Sequence, residues 1–176
     1  MDQLSEFEHL ILPHMDAAYN LARWMLRNEQ DAEDSVQEAT LRAYRAFGAF
    51  RGDNGKAWLL TIVRNVCLSL LKKHQKSELG EPFDEAFHGV VDEPLNNGHL
   101  ELQQIRREWL EHGLEQLPLE FREVIVLHEL EGMAYKDISA TVGIPIGTVM
   151  SRLARARRKL HLELMELSKK EASRGM

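Results

Sequence analysis

The sequence predicts an all-α fold of two small helical domains, residues 1–76 and 102–176, joined by a flexible acidic linker over 77–101. Three observations predict it. Almost every periodic segment repeats its apolar residues at steps of three and four. No alternating strand appears, and the Asn97-Gly98 pair lies in a polar stretch rather than between strands. Between the helical halves, Ser77–Glu101 has two prolines, three glycines, seven acids and no Lys or Arg, a composition that cannot bury a core.

The helices are expected at about Glu6–Arg27, Asp31–Phe47, Lys56–Gln75, Leu100–Gln116, Pro118–Glu131, Tyr135–Val142 and Pro145–Ser168. Asp31 reads as the N-cap of the second, followed by acids that suit the positive end of the helix dipole. Its inner face is Val36, Thr40, Ala43, Tyr44 and Phe47. Asp34, Gln37, Glu38 and Leu41 share the opposite face, a leucine set among acid and amide groups that suits a protein partner with basic residues.

The glycine-rich loop Phe50–Gly55 precedes a helix that buries Leu59, Ile62, Val63, Val66 and Leu70. Its other side shows Asn65, Ser69, Lys72, Lys73 and Lys76, with Arg64 alongside. From Arg64 to Lys76 there are four cations and no acid. Cys67 falls towards the apolar side as a core thiol.

In the second half, Leu117-Pro118 separates two helices. Phe121, Val124, Ile125, Leu127, His128 and Leu130 form a strongly apolar helix ended by Gly132, with apolar surplus for a partner. Gly143 then closes a short helix and Pro145 opens the next. On that last helix Ile146, Val149, Leu153, Ala156 and Leu160 make one buried stripe. Thr148, Ser151, Arg152, Arg155, Arg158 and Lys159 lie on the other side. The arrangement is that of a helix-turn-helix, whose second helix enters a major groove while flanking cations hold phosphates. From Pro145 to Leu160 there are five cations and no acid, unlike an ordinary surface helix, which mixes signs.

A net charge of −6 looks wrong for a nucleic-acid binder until it is located. The acidic linker carries all of it, leaving the rest near neutral and free to form local basic patches. The single cysteine excludes an internal disulfide. The N-terminus MDQLSEFEHL is acidic where a signal peptide needs cations, and no apolar run approaches the ~18 residues of a membrane span. A cytoplasmic protein is expected. The eight histidines show no H-E-x-x-H or CxxC pairing, and there is no phosphate-binding glycine loop or G-x-S-x-G. Neither catalysis nor a metal or cofactor is expected.

The chain resembles the extracytoplasmic-function sigma factors of bacterial RNA polymerase over nearly its whole length. The residues that carry the resemblance are DAEDSVQEATLRAYRAF at 31–47, FRGDNGKAWLLTIVRN at 50–65, LPLEFREVIVLHELEGMAYKDIS at 117–139 and GIPIGTVMSRLARARRKL at 143–160. The resemblance implies that the first domain is sigma region 2 and the second region 4. It implies that Asp34, Gln37 and Glu38 dock on the β′ clamp helices of polymerase, with Leu41 on the same face. It implies that Asn65 and the loop Arg51–Lys56 read the minus-10 element, a base being flipped into a pocket while the loop and the basic helix hold the single strand. The apolar side of 119–130 would receive the β flap tip. Met150, Ser151, Arg152 and Arg155 would read the minus-35 element, and the linker would thread through polymerase. An anti-sigma factor is implied as a further partner.

Two positions depart from the family pattern. Met150 stands where Lys or Arg is common, and Ala134 where Ser or Thr often caps the helix. The helix-turn-helix alone also leaves open a polymerase-independent regulator, and the resemblance leaves open a sigma mimic that titrates an anti-sigma factor.

Overall fold

The computed structural model describes residues 2–77 and 98–175. The acidic linker lies outside the described residues from 78 to 97, and helix occupies both of its ends. The described secondary structure is entirely helical.

The first domain begins with α1 (Gln3–Leu10), a 3-10 turn (Leu12–His14) and α2 (Met15–Leu26), where the sequence predicts one helix over 6–27. Pro13 explains the break. It lacks an N–H, and its ring would collide with the carbonyl four residues back. The helix α3 (Glu29–Ala46) starts two residues before the expected Asp31. Its N-cap is Asn28, whose side chain accepts from the Asp31 N–H at 2.9 Å, so Asp31 sits in the first turn instead. A 3-10 turn (Phe47–Ala49) leads to the loop before α4 (Gly55–Ser77).

Helices α2, α3 and α4 form a bundle around Leu21, Ala22, Ala39, Ala43, Leu59 and Val63, all with no exposed surface. An aromatic chain braces the loop against it. Phe7 meets Phe47 edge-on at 5.4 Å, Phe47 stacks on Phe50 at 5.9 Å, and Phe50 reaches Trp58 at 4.8 Å. Gly55 starts α4 where no side chain fits. A Cβ there would lie 2.7 Å from the Leu10 carbonyl oxygen, a backbone atom that cannot yield cheaply. Tyr44, expected on the inner face, sits at the rim, 39% exposed with its ring edge-on to Phe7.

The second domain comprises α5 (Gly98–Glu115), α6 (Leu119–Ile125), a π-helical turn (Val126–Leu130), α7 (Tyr135–Val142) and α8 (Ile146–Arg174). In the π turn the Glu131 N–H donates to the Val126 carbonyl, five residues back, at 3.0 Å. The His128 ring donates through Nδ1 to the Met133 carbonyl at 2.9 Å and lies against Tyr135, which orients the start of α7. The core joins Leu114, Val124, Leu127, Ile138, Val149, Leu153 and Ala156.

The domains touch one another. Helix α6 lies on α2, and α7 lies on α4. The expected apolar surplus of 119–130 is covered within the chain. Val124, Ile125, Val126 and Leu127 are all buried, and only Leu130 of that run is substantially exposed.

Candidate nucleic-acid interface

The helix-turn-helix forms from local causes. Ala134 precedes α7 in extended conformation with no side-chain cap, as its methyl group dictates. The short helix is held instead by Ile138, fully buried, and by the Ala134 carbonyl, which accepts from the N–H groups of Asp137 and Ile138 at 3.0 Å. Gly143 ends α7 at φ 75°, and its N–H bonds the Ser139 carbonyl at 2.9 Å. Glycine is the residue that adopts this left-handed angle without strain. The Ser139 hydroxyl then donates to the Ile144 carbonyl, tying the turn back to the helix.

Pro145 turns the chain into α8. Val149, Leu153 and Ala156 are buried as expected, while Leu160 is half-buried. Ile146, expected in the stripe, is 46% exposed, because the spacing identifies a face but not how far its neighbours reach along it. On the outer side Met150, Ser151, Arg155 and Arg158 are exposed, and Thr148 and Lys159 are partly so. Arg152 leans towards Glu120 at 3.8 Å. Arg155, Arg158 and Lys159 pair with no carboxylate among the described residues. These three face outward without neutralisation, while Arg157 is engaged by Glu129, and the unpaired cations favour a polyanion.

A second basic surface runs along α4. Asn65, Ser69, Lys72 and Lys73 are exposed, and the Ser69 hydroxyl bonds the Asn65 carbonyl at 3.0 Å. Arg51 caps the preceding loop, its guanidinium donating to the Gly48 and Phe50 carbonyls at 2.7 and 2.9 Å. Beside it a cleft of about 550 Å³ opens between α1 and the loop, walled by Leu10, Phe47, Phe50 and Arg51. On α3, Asp34, Gln37 and Leu41 are exposed, Leu41 by 49%, and Glu38 is engaged by Arg42 at 2.7 Å.

Two of the predicted residues occupy a different setting. Arg64 donates through Nε and Nη2 to the two carboxylate oxygens of Glu123, at 2.7 and 3.1 Å, with the pair nearly excluded from water. Lys56 donates to the Glu131 carbonyl at 2.6 Å and lies 3.3 Å from its carboxylate. Around them, Asn20 donates to the Glu131 carboxylate at 3.2 Å and Asn54 to Asp137 at 3.3 Å. The Thr61 hydroxyl donates to the Ala57 carbonyl and lies within hydrogen-bond distance of the Thr141 hydroxyl, at 3.0 Å. Arg27 approaches Glu115 at 3.7 Å.

Like Nε of Arg27, the Nε and Nη1 of Arg122, a residue only 7% exposed, have no hydrogen-bond partner among the described residues. Burial holds its guanidinium down to about 10, and the nearby Arg27 adds to this against the opposing pull of Glu115. A buried donor left unpaired costs on the order of 1–3 kcal/mol.

Sequence reasoning missed Glu123, Glu131, Arg122 and Thr141. The one available signal was the Arg122-Glu123 pair inside an otherwise apolar helix, a place where charge survives only with a partner.

The Sigma-70 region 2 family matches residues 10–77, and the Sigma-70 region 4 family matches residues 107–160. The RNA polymerase sigma-H factor of Pseudomonas aeruginosa is 32% identical over 92% of this chain and 87% of its own length. The ECF RNA polymerase sigma-E factor of Escherichia coli is 35% identical over 78% of this chain and 75% of its own. The ECF RNA polymerase sigma factor SigE of Mycolicibacterium smegmatis is 31% identical over 96% of this chain, which spans 65% of that relative's length. Among solved structures, the sigma factor RpoE from Bartonella quintana, in complex with the anti-sigma factor NepR, superposes with a TM-score of 0.75 at 31% identity. It covers 91% of this chain and 97% of its own. One domain of this chain, less than half of it, cannot produce that score, so the likeness extends to the mutual arrangement of the two. CnrH, in complex with the cytosolic domain of CnrY, superposes at 0.62 with 28% identity. Among the described residues no helix is long and apolar enough to cross a membrane.

Proposed function

The chain belongs to the extracytoplasmic-function sigma factors of bacterial RNA polymerase, and on that premise we propose that it binds core polymerase and directs promoter-specific initiation. The observation that supports this best is the pairing, in one chain, of two separate basic surfaces with an acidic-amide face on α3. A simple helix-turn-helix regulator needs only the first of these.

The α3 face, Asp34, Gln37, Glu38 and Leu41, docks on the β′ clamp helices, carboxylates meeting cations around an apolar contact. The α8 face enters the major groove of the minus-35 element. Thr148, Met150 and Ser151 lie nearest the bases, while Arg152, Arg155, Arg158 and Lys159 hold backbone phosphates. The α4 surface takes the minus-10 element. Asn65 bonds an unstacked base, the cleft beside Arg51 has room for one, and Ser69, Lys72, Lys73 and Arg64 track the exposed strand. Lys56 and Arg51 support the loop. The β flap is assigned to the 119–130 segment, whose exposed apolar residue is Leu130. The protein has no turnover of its own and acts in the cytoplasm, where polymerase is. An anti-sigma factor controls it, in line with the superposed sigma factor RpoE, which is in complex with the anti-sigma factor NepR.

Run-off transcription with purified core polymerase on candidate promoters tests the reading. Stable core binding and promoter-dependent product are expected. Absence of core binding overturns it, and binding without initiation identifies a mimic that titrates an anti-sigma factor.

A further inference from the structure

Most glycines among the described residues answer to something inside the protein. Gly132 and Gly143 hold positive φ angles. A Cβ at Gly55 would lie 2.7 Å from the Leu10 carbonyl oxygen, and one at Gly113 would lie 2.8 Å from Leu160 Cδ1. Gly147 answers to neither demand. It stands exposed in the first turn of α8, its φ is not positive, and a Cβ there would meet no atom within 4 Å. Gly48 has the same open space, but in a 3-10 turn rather than an α-helix. A helix is more stable with alanine at such a place, because the methyl group restricts the unfolded chain and strains nothing in the folded one. The bare position therefore weakens α8 and serves no contact within the fold.

Gly147, Ser151, Arg155 and Arg158 follow one another at steps of four, four and three, so Gly147 heads the stripe assigned to DNA. The stripe widens along its length, from no side chain to a hydroxymethyl group and then to two exposed arginines. Resting on the role of α8 proposed above, we propose that Gly147 sets how deeply α8 enters the major groove. The wall of the duplex packs on bare main chain at this position, and that depth brings Thr148 and Ser151 to the base edges. A side chain at 147 is a spacer between helix and groove. Distance decides what the spacer costs. A hydrogen bond made at about 2.9 Å is lost by about 3.6 Å, whereas attraction between a cation and a phosphate falls only in proportion to their separation. Arg155 and Arg158 also reach phosphates on long, adjustable stems. Gly147 is thus a positioning residue for sequence readout and not for general attraction to DNA.

The experiment uses the full chain assembled with bacterial core polymerase. The parent holoenzyme selects a promoter duplex from a pool randomised over its upstream element. Each variant is then titrated across a salt series against that duplex and against one whose upstream element is scrambled. Gly147→Ala is expected to bind the selected duplex about tenfold more weakly and Gly147→Leu about a hundredfold, while affinity for the scrambled duplex and the salt slope keep their parent values. In urea, Gly147→Ala is expected to unfold at the parent's midpoint or above it. A Gly147→Leu protein that discriminates between the duplexes as the parent does overturns the proposal. A lowered midpoint in Gly147→Ala also overturns it, since the glycine then has a role inside the fold. Equal loss on both duplexes with a shallower salt slope overturns the readout role and assigns the position to phosphate contact. Selection of no preferred upstream element by the parent overturns the assignment of α8 to the minus-35 element, and the role of Gly147 with it.

Discussion

Arg64 and Glu123, fifty-nine positions apart in the chain, meet side-on across the boundary between the two domains, two nitrogens against two oxygens at 2.7 and 3.1 Å. This is the strong, geometrically demanding form of a charge-assisted pair. Glu123 is 3% exposed, so it depends on that partner.

Removing the guanidinium should therefore uncouple the domains. Arg64→Ala leaves a buried carboxylate unpaired, a defect of about 3–5 kcal/mol when nothing relaxes. Separation of the domains relieves it. Thermal unfolding of the parent is expected as one cooperative transition, and that of the variant as two, seen by calorimetry. A single transition at unchanged temperature would contradict the assigned weight of the pair.

Asn65 stands exposed one residue further along α4, and among the described residues its side chain makes no hydrogen bond across the domain boundary. Asn65→Ala is expected to slow promoter opening about tenfold, the loss of a base contact worth roughly 1–3 kcal/mol. Core binding and domain separation should stay as they are. Permanganate footprinting of the melted region checks the first, polymerase titration the second. Loss of both together would refute its role in reading the minus-10 strand.

Met150 is 52% exposed on the outer side of α8, between Val149 in the core and Ser151. Met150→Lys adds one cation to a face already free of acids. Affinity for duplex minus-35 DNA should rise several-fold, and the slope of log affinity against log salt should steepen by about 1. Fluorescence anisotropy across a salt series measures both. A gain without a change of slope would mean that the lysine does not reach a phosphate.

Ala134 already has the extended conformation of an N-cap and lacks only the acceptor. Ala134→Ser should stabilise the protein by about 1 kcal/mol in denaturant unfolding. No gain would show that the turn before α7 cannot aim a hydroxyl at the first free N–H groups.

Burial pushes the Cys67 thiol up to about 12, against a smaller opposing effect of the Ser35 hydroxyl. The thiolate is the reactive form, so Cys67 should resist alkylation by iodoacetamide at pH 8 in the folded protein and react fully in denaturant. Mass spectrometry of quenched samples reads this. Modification of folded protein at the rate of a free thiol would contradict the core placement.

What could be read from the residues was local. Apolar steps of three and four along α3, α4 and α8 placed the helices, because a helical face recurs within one turn and needs no distant neighbour. Gly143 and Pro145 marked the turn of the helix-turn-helix by backbone sterics alone. Asn65, Lys72, Lys73, Arg155 and Arg158 read as outward-facing because they fall opposite the apolar stripes of their helices. Even locally, Pro13 outweighs the apolar spacing across it, and Asn28 takes the capping role expected of Asp31. The apolar face of α6, legible as buried, did not say against what.

That last question belonged to the tertiary structure. It set α6 on α2 and α7 on α4, joined Arg64 to Glu123 and Lys56 to Glu131, and buried Arg122 with two donor nitrogens unmatched among the described residues. These partners are separated by scores of residues, and each charge by itself is as compatible with water as with a carboxylate. Only the packing of two cores against one another removes the water and decides which cation meets which anion.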